Sequence, residues 1–484
     1  MAPNPYDTCP CGSGKKFKWC CASYFKDIEL ALEQQQQGQH ELSLKTMESL
    51  TKTHPDKPPV WGYYAHILFA EGKVEEAEEA INKAFALQQD FGMGHLLRGL
   101  FRQSEGEVIG ALLLFRKAAE AYHPEAHDQL AQVHEMIARN ELMLNRPVAA
   151  RAALERAVHF QPADAELREQ FELLFGEQSR LPESARKKYA FRPMTRQLPA
   201  GAAETGRLSE VRKVFEELTA RIPDDPAAWF NLGLVRAWLG DQPAAVEALN
   251  RSVELEEDDN RAEEAAALVE VLRCGQGMEN EADYVEHRVF LPVRDMEAVF
   301  GLIQAWVQEG KLIAPQADPQ GMYFSALVVE ELPSLLETGT RLARVTANLN
   351  IAGGLVRLWH PVKELVERVG REMRDRLNLA VGEPTFGVGP IQFGDVAMEA
   401  IAYQVRTAAV AEAEEKMRSQ AANYFENVWI HQPRRSLGGA SPLDAVGSRL
   451  LRKRVLGVVK FIEDCVRGSS PRKKSGDQVA PIDI

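Results

Sequence analysis

Four of the six cysteines fall within thirteen residues, as Cys9-Pro-Cys11 and Cys20-Cys21, with Gly12 and Gly14 between the pairs. Thiolates are soft donors, and four on one short loop suit a closed tetrahedral zinc site. The glycines let the backbone reverse so that the second pair can meet the first. Lys15, Lys16 and Lys18 add positive charge beside four thiolates that would outweigh the two charges of a zinc ion. Disulfides fit poorly, because adjacent cysteines and such short loops strain the bridge. A reduced cluster without metal is the other reading of the same residues.

The run Cys-Pro-Cys-Gly-Ser-Gly-Lys-Lys-Phe-Lys-Trp-Cys-Cys closely resembles the SEC-C motif, the zinc knuckle best known from the C-terminus of the translocase motor SecA. The resemblance covers about the first twenty-five residues. It implies that Cys9, Cys11, Cys20 and Cys21 all bind structural zinc. It also implies a docking module for a protein or nucleoprotein partner, without catalysis.

The rest of the chain must position this loop. At 484 residues, with 45% apolar residues, it is long enough for about three domains. A net charge of -13 argues against a nucleic-acid coat. No apolar run is long enough to span a bilayer, and isolated Cys274 and Cys465 give no disulfide framework, so a reduced cytoplasm is expected.

From the knuckle to about Ala267 the sequence repeats. One unit reads Trp61, Tyr64, Ala65, Leu68, Ala77, Ile81 and Ala84; another reads Trp229, Leu232, Gly233, Ala245, Leu249 and Ser252. Ala111, Phe115 and Ala118 follow the first set by 34 residues, and Ala150, Leu154 and Ala157 follow five residues late. These positions resemble the 34-residue tetratricopeptide (TPR) pattern, which implies antiparallel helix pairs stacked into a solenoid with a concave binding face. Phe230, Leu234 and Trp238 on one first helix, with Leu96 and Leu100 on another, are expected to face that groove and receive an apolar helix. The competing expectation is that the protein fills the groove itself. His123, His127 and His134 invite a second metal reading but lack an evident shared geometry.

Past residue 281 the helical phase breaks. Stretches at 287–293, 322–329 and 343–351 read as strands, and 295–309 and 361–377 as helices. Gly353-Gly354 reads as a turn, and Gly387-x-Gly389 is a poor phosphate loop. Trp429, Pro433, Leu437-Gly438-Gly439, Ser441-Pro442 and Asp444 resemble the C-terminal domain of Xre/ParS-type antitoxins, which implies dimerisation or protein binding. Lys416 to Lys474 holds thirteen basic residues against four acidic ones, so 13 − 4 gives +9. That charge could meet nucleic acid or pair with the acidic repeats.

The expected fold is mainly α: a TPR-like α-solenoid with an N-terminal SEC-C zinc knuckle, then a mixed α+β domain and a small helical C-terminal domain. Expected boundaries are 1–26 for the knuckle, 27–175 and 207–280 for repeats, and 176–206 for an irregular linker. The α+β domain is expected at 281–410, the antitoxin-like domain at 411–468 and a disordered tail at 469–484. No catalytic motif stands out, so the expected function is a non-enzymatic, zinc-binding cytoplasmic scaffold for a protein or peptide partner. Self-association is a further expectation. A nucleic-acid- or ribosome-associated regulator, and an enzyme with a site in the α+β domain, are the alternatives.

Overall fold

A computed structural model describes residues 3–194, 207–318, 323–332, 341–406 and 410–469. They form two compact units, one within Met1–Gln178 and the other comprising the described residues from Ser179 to 194 and from Leu208 onward.

The first unit is an array of helical hairpins. Its helices are α1 (Phe25–Gln36), α2 (His40–Thr53), α3 (Pro58–Ala70), α4 (Val74–Leu87), α5 (Gly92–Ser104), α6 (Val108–Ala121), α7 (His127–Met143), α8 (Pro147–Phe160) and α9 (Ala165–Phe175). The first helix of each pair ends on a residue with positive φ: Gly38, Gly72, Gly106 and then Asn145. The glycines are 34 residues apart, and Asn145 comes five residues later than the period requires, the same shift seen in the apolar pattern. A left-handed residue after the helix turns the chain sharply and lets the next amide bond back, as when Lys73 N–H donates to Leu68 O at 2.9 Å. Inside the pairs, Ala65, Ala77, Ala111 and Ala118 are fully buried beside Leu68, Ile81 and Phe115.

The second unit starts with the short helix Glu183–Arg186, followed by extended chain to residue 194. Helices Leu208–Arg221, Pro226–Trp238, Gln242–Leu255 and Asp259–Arg273 come next. Asp225 caps the second of these by accepting from the amides of Ala227 and Ala228. Trp229 Nε1 donates to Pro223 O at 2.7 Å, just as Trp61 Nε1 donates to Pro55 O at 2.9 Å in the first unit. The same local bond therefore anchors the tryptophan in both repeat sets.

An antiparallel seven-stranded sheet follows, in the order β2-β3-β4-β5-β1-β6 with β7 beside β4. The strands are β1 (Val285–Pro292), β2 (Leu312–Ala317), β3 (Tyr323–Glu331), β4 (Arg341–Ala352), β5 (Leu355–His360), β6 (Thr385–Pro390) and β7 (Ala402–Arg406). β4 and β5 are joined by Gly353 and Gly354, both at positive φ, as a tight hairpin requires. Helices Met296–Gln308 and Lys363–Leu377 pack Trp306, Val299, Val366 and Met373 against Val289, Leu349, Val356 and Leu358 of the sheet. Expected strands 287–293 and 343–351 are present, as is 322–329 from Tyr323 on, whereas Met322 lies outside the described residues. Gly387 and Gly389 lie in strand β6, where a Cβ on Gly389 would strike the Arg288 guanidinium. They form no phosphate loop.

Two expected boundaries change. Residues 179–194 are not a loose linker: Tyr189 and Arg192 are buried in the second unit. The rest of the expected linker, 195–206, lies outside the described residues, as does the expected tail from 470 on. The C-terminal segment does not stand apart either, because the final helix, Arg449–Ser469, lies against Asp259–Arg273, where a Cβ on Gly457 would meet Ala266 Cβ at 2.3 Å.

Small residues at the helix contacts can be tested within this unit. A Cβ on Gly233 would come within 2.6 Å of buried Leu249 and 3.2 Å of the Ala245 carbonyl. Overpacking of about 1–3 kcal/mol should outweigh the ~1 kcal/mol that alanine gains in helix propensity. Gly301→Ala, on an exposed helix face with nothing within 4 Å, should show the propensity gain alone. Chemical denaturation of both variants is therefore expected to give shifts of opposite sign.

Candidate metal centre and peptide groove

The cysteine loop is built by a few backbone bonds. Thr8 and Lys16 form a β-bridge, Cys9 N–H donates to Lys15 O at 2.8 Å, and Gly12 N–H donates to Cys9 O at 3.0 Å. A 3₁₀ turn, Phe17–Trp19, delivers Cys20 and Cys21 to the first pair. The four sulfurs all lie within 4.8 Å of one another, with Cys11 to Cys20 at 3.5 Å and Cys20 to Cys21 at 3.7 Å. A tetrahedron with metal–sulfur bonds of about 2.3 Å would hold its sulfurs about 3.8 Å apart. The donor set therefore fits one tetrahedral ion, and among the described residues it is the one cluster of three or more metal-ligating groups.

The cluster also fits electrostatically. Hydrogen bonds from Cys11 and Cys21 pull the Cys20 thiol far below its ordinary range, and Cys9 falls to about 7 chiefly through its bond to Cys11. The bond from Cys11 to Cys20 pushes Cys11 up, and the bonds from Cys11 and Cys20 push Cys21 up. Four thiols this close share protons rather than ionise together, and a dication removes that conflict. Ser13 Oγ lies 3.4 Å from the Cys20 sulfur, and Tyr24 donates its hydroxyl to Cys21 Sγ at 3.0 Å. Lys18 lies over the rings of Tyr6 and Trp19, 3.9 and 4.1 Å from their centroids.

The knuckle has no core of its own. Cys9, Cys11, Cys21, Phe17 and Tyr24 are buried in one cluster with Ile28 of α1, Met47 of α2, and Val60 and Ile67 of α3. Its tip reaches further along the array. Gln129 of α7 donates to Pro10 O at 3.1 Å, and His123 N–H donates to Gly12 O at 3.3 Å. A Cβ on Gly12 would strike the Tyr122 ring, and one on Gly14 would strike His123. These glycines therefore provide close approach as well as positive φ. The knuckle is thereby a staple across the hairpins. Cys20→Ser with Cys21→Ser should abolish metal binding by elemental analysis and lower the melting temperature of the first unit by roughly 5 °C or more. Metal loss with an unchanged melt would show that the staple carries no stability.

The expected groove residues divide between the units. Leu96 is buried in α5, and Leu100 is partly buried against Leu97 and Phe101. In the second unit Phe230 and Leu234 are buried, and Trp238 packs against Phe191. The residues seated there are not an apolar helix but the extended chain at 190–194. Asn231 Oδ1 accepts from Arg192 N–H at 2.7 Å, and Asn231 Nδ2 donates to Arg192 O at 3.0 Å. The Arg192 guanidinium lies 3.7 Å from the Phe230 centroid, bonds Glu256 and Glu264 at 3.1 Å each, and donates to Arg261 O at 2.7 Å. Phe191 stands 5.0 Å from Phe215 and 5.1 Å from Trp238, centroid to centroid. Sequence reasoning missed Asn231, Arg192, Glu256 and Glu264. The available signal was an asparagine in the middle of an apolar helix, where it has no propensity advantage.

The other expected features are structural. His134 is buried and stacked on Phe160, His127 lies 5.7 Å from the same ring, and the histidines do not converge. Burial, with Arg156 nearby, drives His134 down to about 3. Its neutral form is native, so its stability contribution is full above about pH 6.5 and is lost as pH falls toward 3. The first unit should lose roughly 1.4 kcal/mol per pH unit over that window from this group, and His134→Gln should flatten the slope. Denaturation at stepped pH measures it.

Some basic residues of the last helix are engaged within the unit, whereas Arg449 and Arg452 are exposed: Lys453 donates to the Val253 and Glu256 carbonyls, Arg454 pairs with Glu254, and Lys460 pairs with Asp464. Arg472, Lys473 and Lys474 lie outside the described residues. In the sheet, buried Glu286 accepts from both Arg288 and Arg357.

The SEC-C motif model matches residues 7–23, and the tetratricopeptide repeat model matches 28–90 and 202–262. No curated protein matches the chain. Among solved structures, YrrB, described as a TPR protein with an unusual peptide-binding site, is 20% identical over 45% of this chain and 95% of its own, at a TM-score of 0.24. The P58(IPK) TPR domain is 18% identical over 59% of this chain and 68% of its own, at 0.19. The Cut9-Hcn1 hetero-tetramer of the APC/C is 16% identical over 50% of this chain and 41% of its own, at 0.25. Residues 28–90 and the described part of 202–262 that the repeat model matches are helices paired as hairpins, and no described helix is long and apolar enough to cross a membrane. This chain carries a SEC-C motif that opens into tetratricopeptide repeats.

Proposed function

We propose that this protein is a non-catalytic cytoplasmic adaptor whose zinc-bound knuckle and repeats hold protein partners. The observation that carries the reading is the division of labour within the knuckle. Its cysteines and Phe17 face inward and fasten it to α1, α2 and α3, while Trp19 and Tyr6 stay 70% and 64% exposed. Large exposed aromatics with a lysine between them are the kind of surface that interfaces use. Zinc suits the role because it is redox-inert and favours four sulfurs without an open position. The reading of the C-terminal segment as a self-association surface rests on its likeness to the antitoxin domain. Against that, Trp429 bonds Tyr284, and the Arg435 and Ser436 amides both bond Asp283.

The test is an affinity capture from native lysate with intact protein, Trp19→Ala and the Cys20/Cys21 double serine variant, each with and without nuclease. A protein partner that survives nuclease and is lost in Trp19→Ala, which keeps its metal, supports the adaptor. Partners that vanish with nuclease would transfer the function to nucleic-acid regulation.

A further inference from the structure

The repeat groove of the second unit already shows a ligand's contacts, made by the chain itself. Asn231 bonds both backbone groups of Arg192, the N–H and the carbonyl, as a neighbouring β-strand would. Such a pair of bonds reads an extended backbone and not a side chain. The two adjacent side chains then go to different partners. Phe191 enters the aromatic site of Phe215 and Trp238, and Arg192 crosses Phe230 to reach Glu256 and Glu264. Pro193 follows, and a proline holds the residue before it in the extended region.

We propose that the groove around Phe230, Asn231 and Trp238 recognises an extended peptide bearing an aromatic–arginine pair, and that residues 190–194 are the chain's own copy, displaced by a partner segment of the same chemistry. The proposal rests on the adaptor reading and names what its repeats would take. Charge fixes the class of occupant. Without the guanidinium, Glu256, which is only 7% exposed, would keep the Glu257 and Asp258 amides on Oε1 but lose its cation, while Glu264 would keep Lys187 at 2.6 Å. An uncompensated buried carboxylate is costly, so an apolar or acidic peptide is a poor replacement. A planar guanidinium both stacks on the ring and forks between two carboxylates, which a lysine cannot do.

Tethering explains why the groove is closed at rest. A segment joined by a short linker competes at an effective concentration on the order of millimolar. A free peptide with the same contacts should therefore bind wild type at least about tenfold more weakly than a protein whose own segment has been disarmed.

The probe is a fluorescent synthetic peptide of residues 187–194, titrated into the full-length protein. Phe191→Ala with Arg192→Ala should bind it and gain several degrees in melting temperature on saturation, with wild type at least tenfold weaker. Adding Asn231→Ala to the disarmed protein, or using a peptide with Glu at the Arg192 position, should abolish binding. A disarmed variant that melts cooperatively yet ignores millimolar peptide would overturn the proposal. Equal binding by wild type, or binding that survives Asn231→Ala, would also overturn it. If the double alanine variant does not fold, Phe191→Leu with Arg192→Lys is titrated in its place, with the same outcomes deciding. The adaptor reading stands or falls separately, on the Trp19→Ala capture, since Trp19 belongs to the first unit.

Discussion

Helical hairpins that repeat along a chain touch only the hairpins on either side of them, so nothing in the repeat itself resists bending or fraying at a distance. The cysteine loop changes that in the first unit. Residues 9 to 21 share a buried cluster with α1, α2 and α3, and the loop tip also bonds α7. A contact spanning more than a hundred residues of sequence is thereby added to a structure otherwise made of local ones. The dependence runs both ways, because a loop this short cannot bury enough surface to fold unaided. Sulfur chemistry fixes its shape, and the repeats provide its core.

The second unit solves a related problem without cysteine. There an extended segment lies over the helices that follow it, fixed by Asn231, two carboxylates and an aromatic site. In each unit the repeats are covered by chain that precedes them. Stacked helix pairs leave one surface without a neighbouring pair, and a preceding segment is the nearest material able to cover it.

Much of this was legible in the amino-acid order. The cysteine spacing picked out the four sulfurs that converge, and the 34-residue phase located the hairpins, including the five-residue delay that ends on Asn145. Strands β1, β3 and β4 announced themselves through β-branched residues. β6 did not, because Gly387 and Gly389 read as a loop, and only pairing with β1 makes them a strand. β5 is short and became a strand through the Gly353-Gly354 turn. The segment at 187–194 was hidden for a different reason. Its proline and positive charges resemble a linker, and what orders it is a set of partners 24 to 77 residues away in sequence. Local pattern records which residues suit a helix or strand; it does not record which distant carboxylate an arginine will meet.

The last helix has a consequence for how the protein is made. Arg449–Ser469 covers Asp259–Arg273, with Gly457 against Ala266 and Lys453 on the carbonyls that end Gln242–Leu255. Nearly two hundred residues separate these partners, and the whole sheet is synthesised between them. A ribosome adding roughly 5–20 residues per second needs on the order of ten seconds or more to bridge that gap. During that time the apolar surface of Asp259–Arg273 stands bare, so the nascent chain offers a binding site for chaperones that the finished protein no longer has.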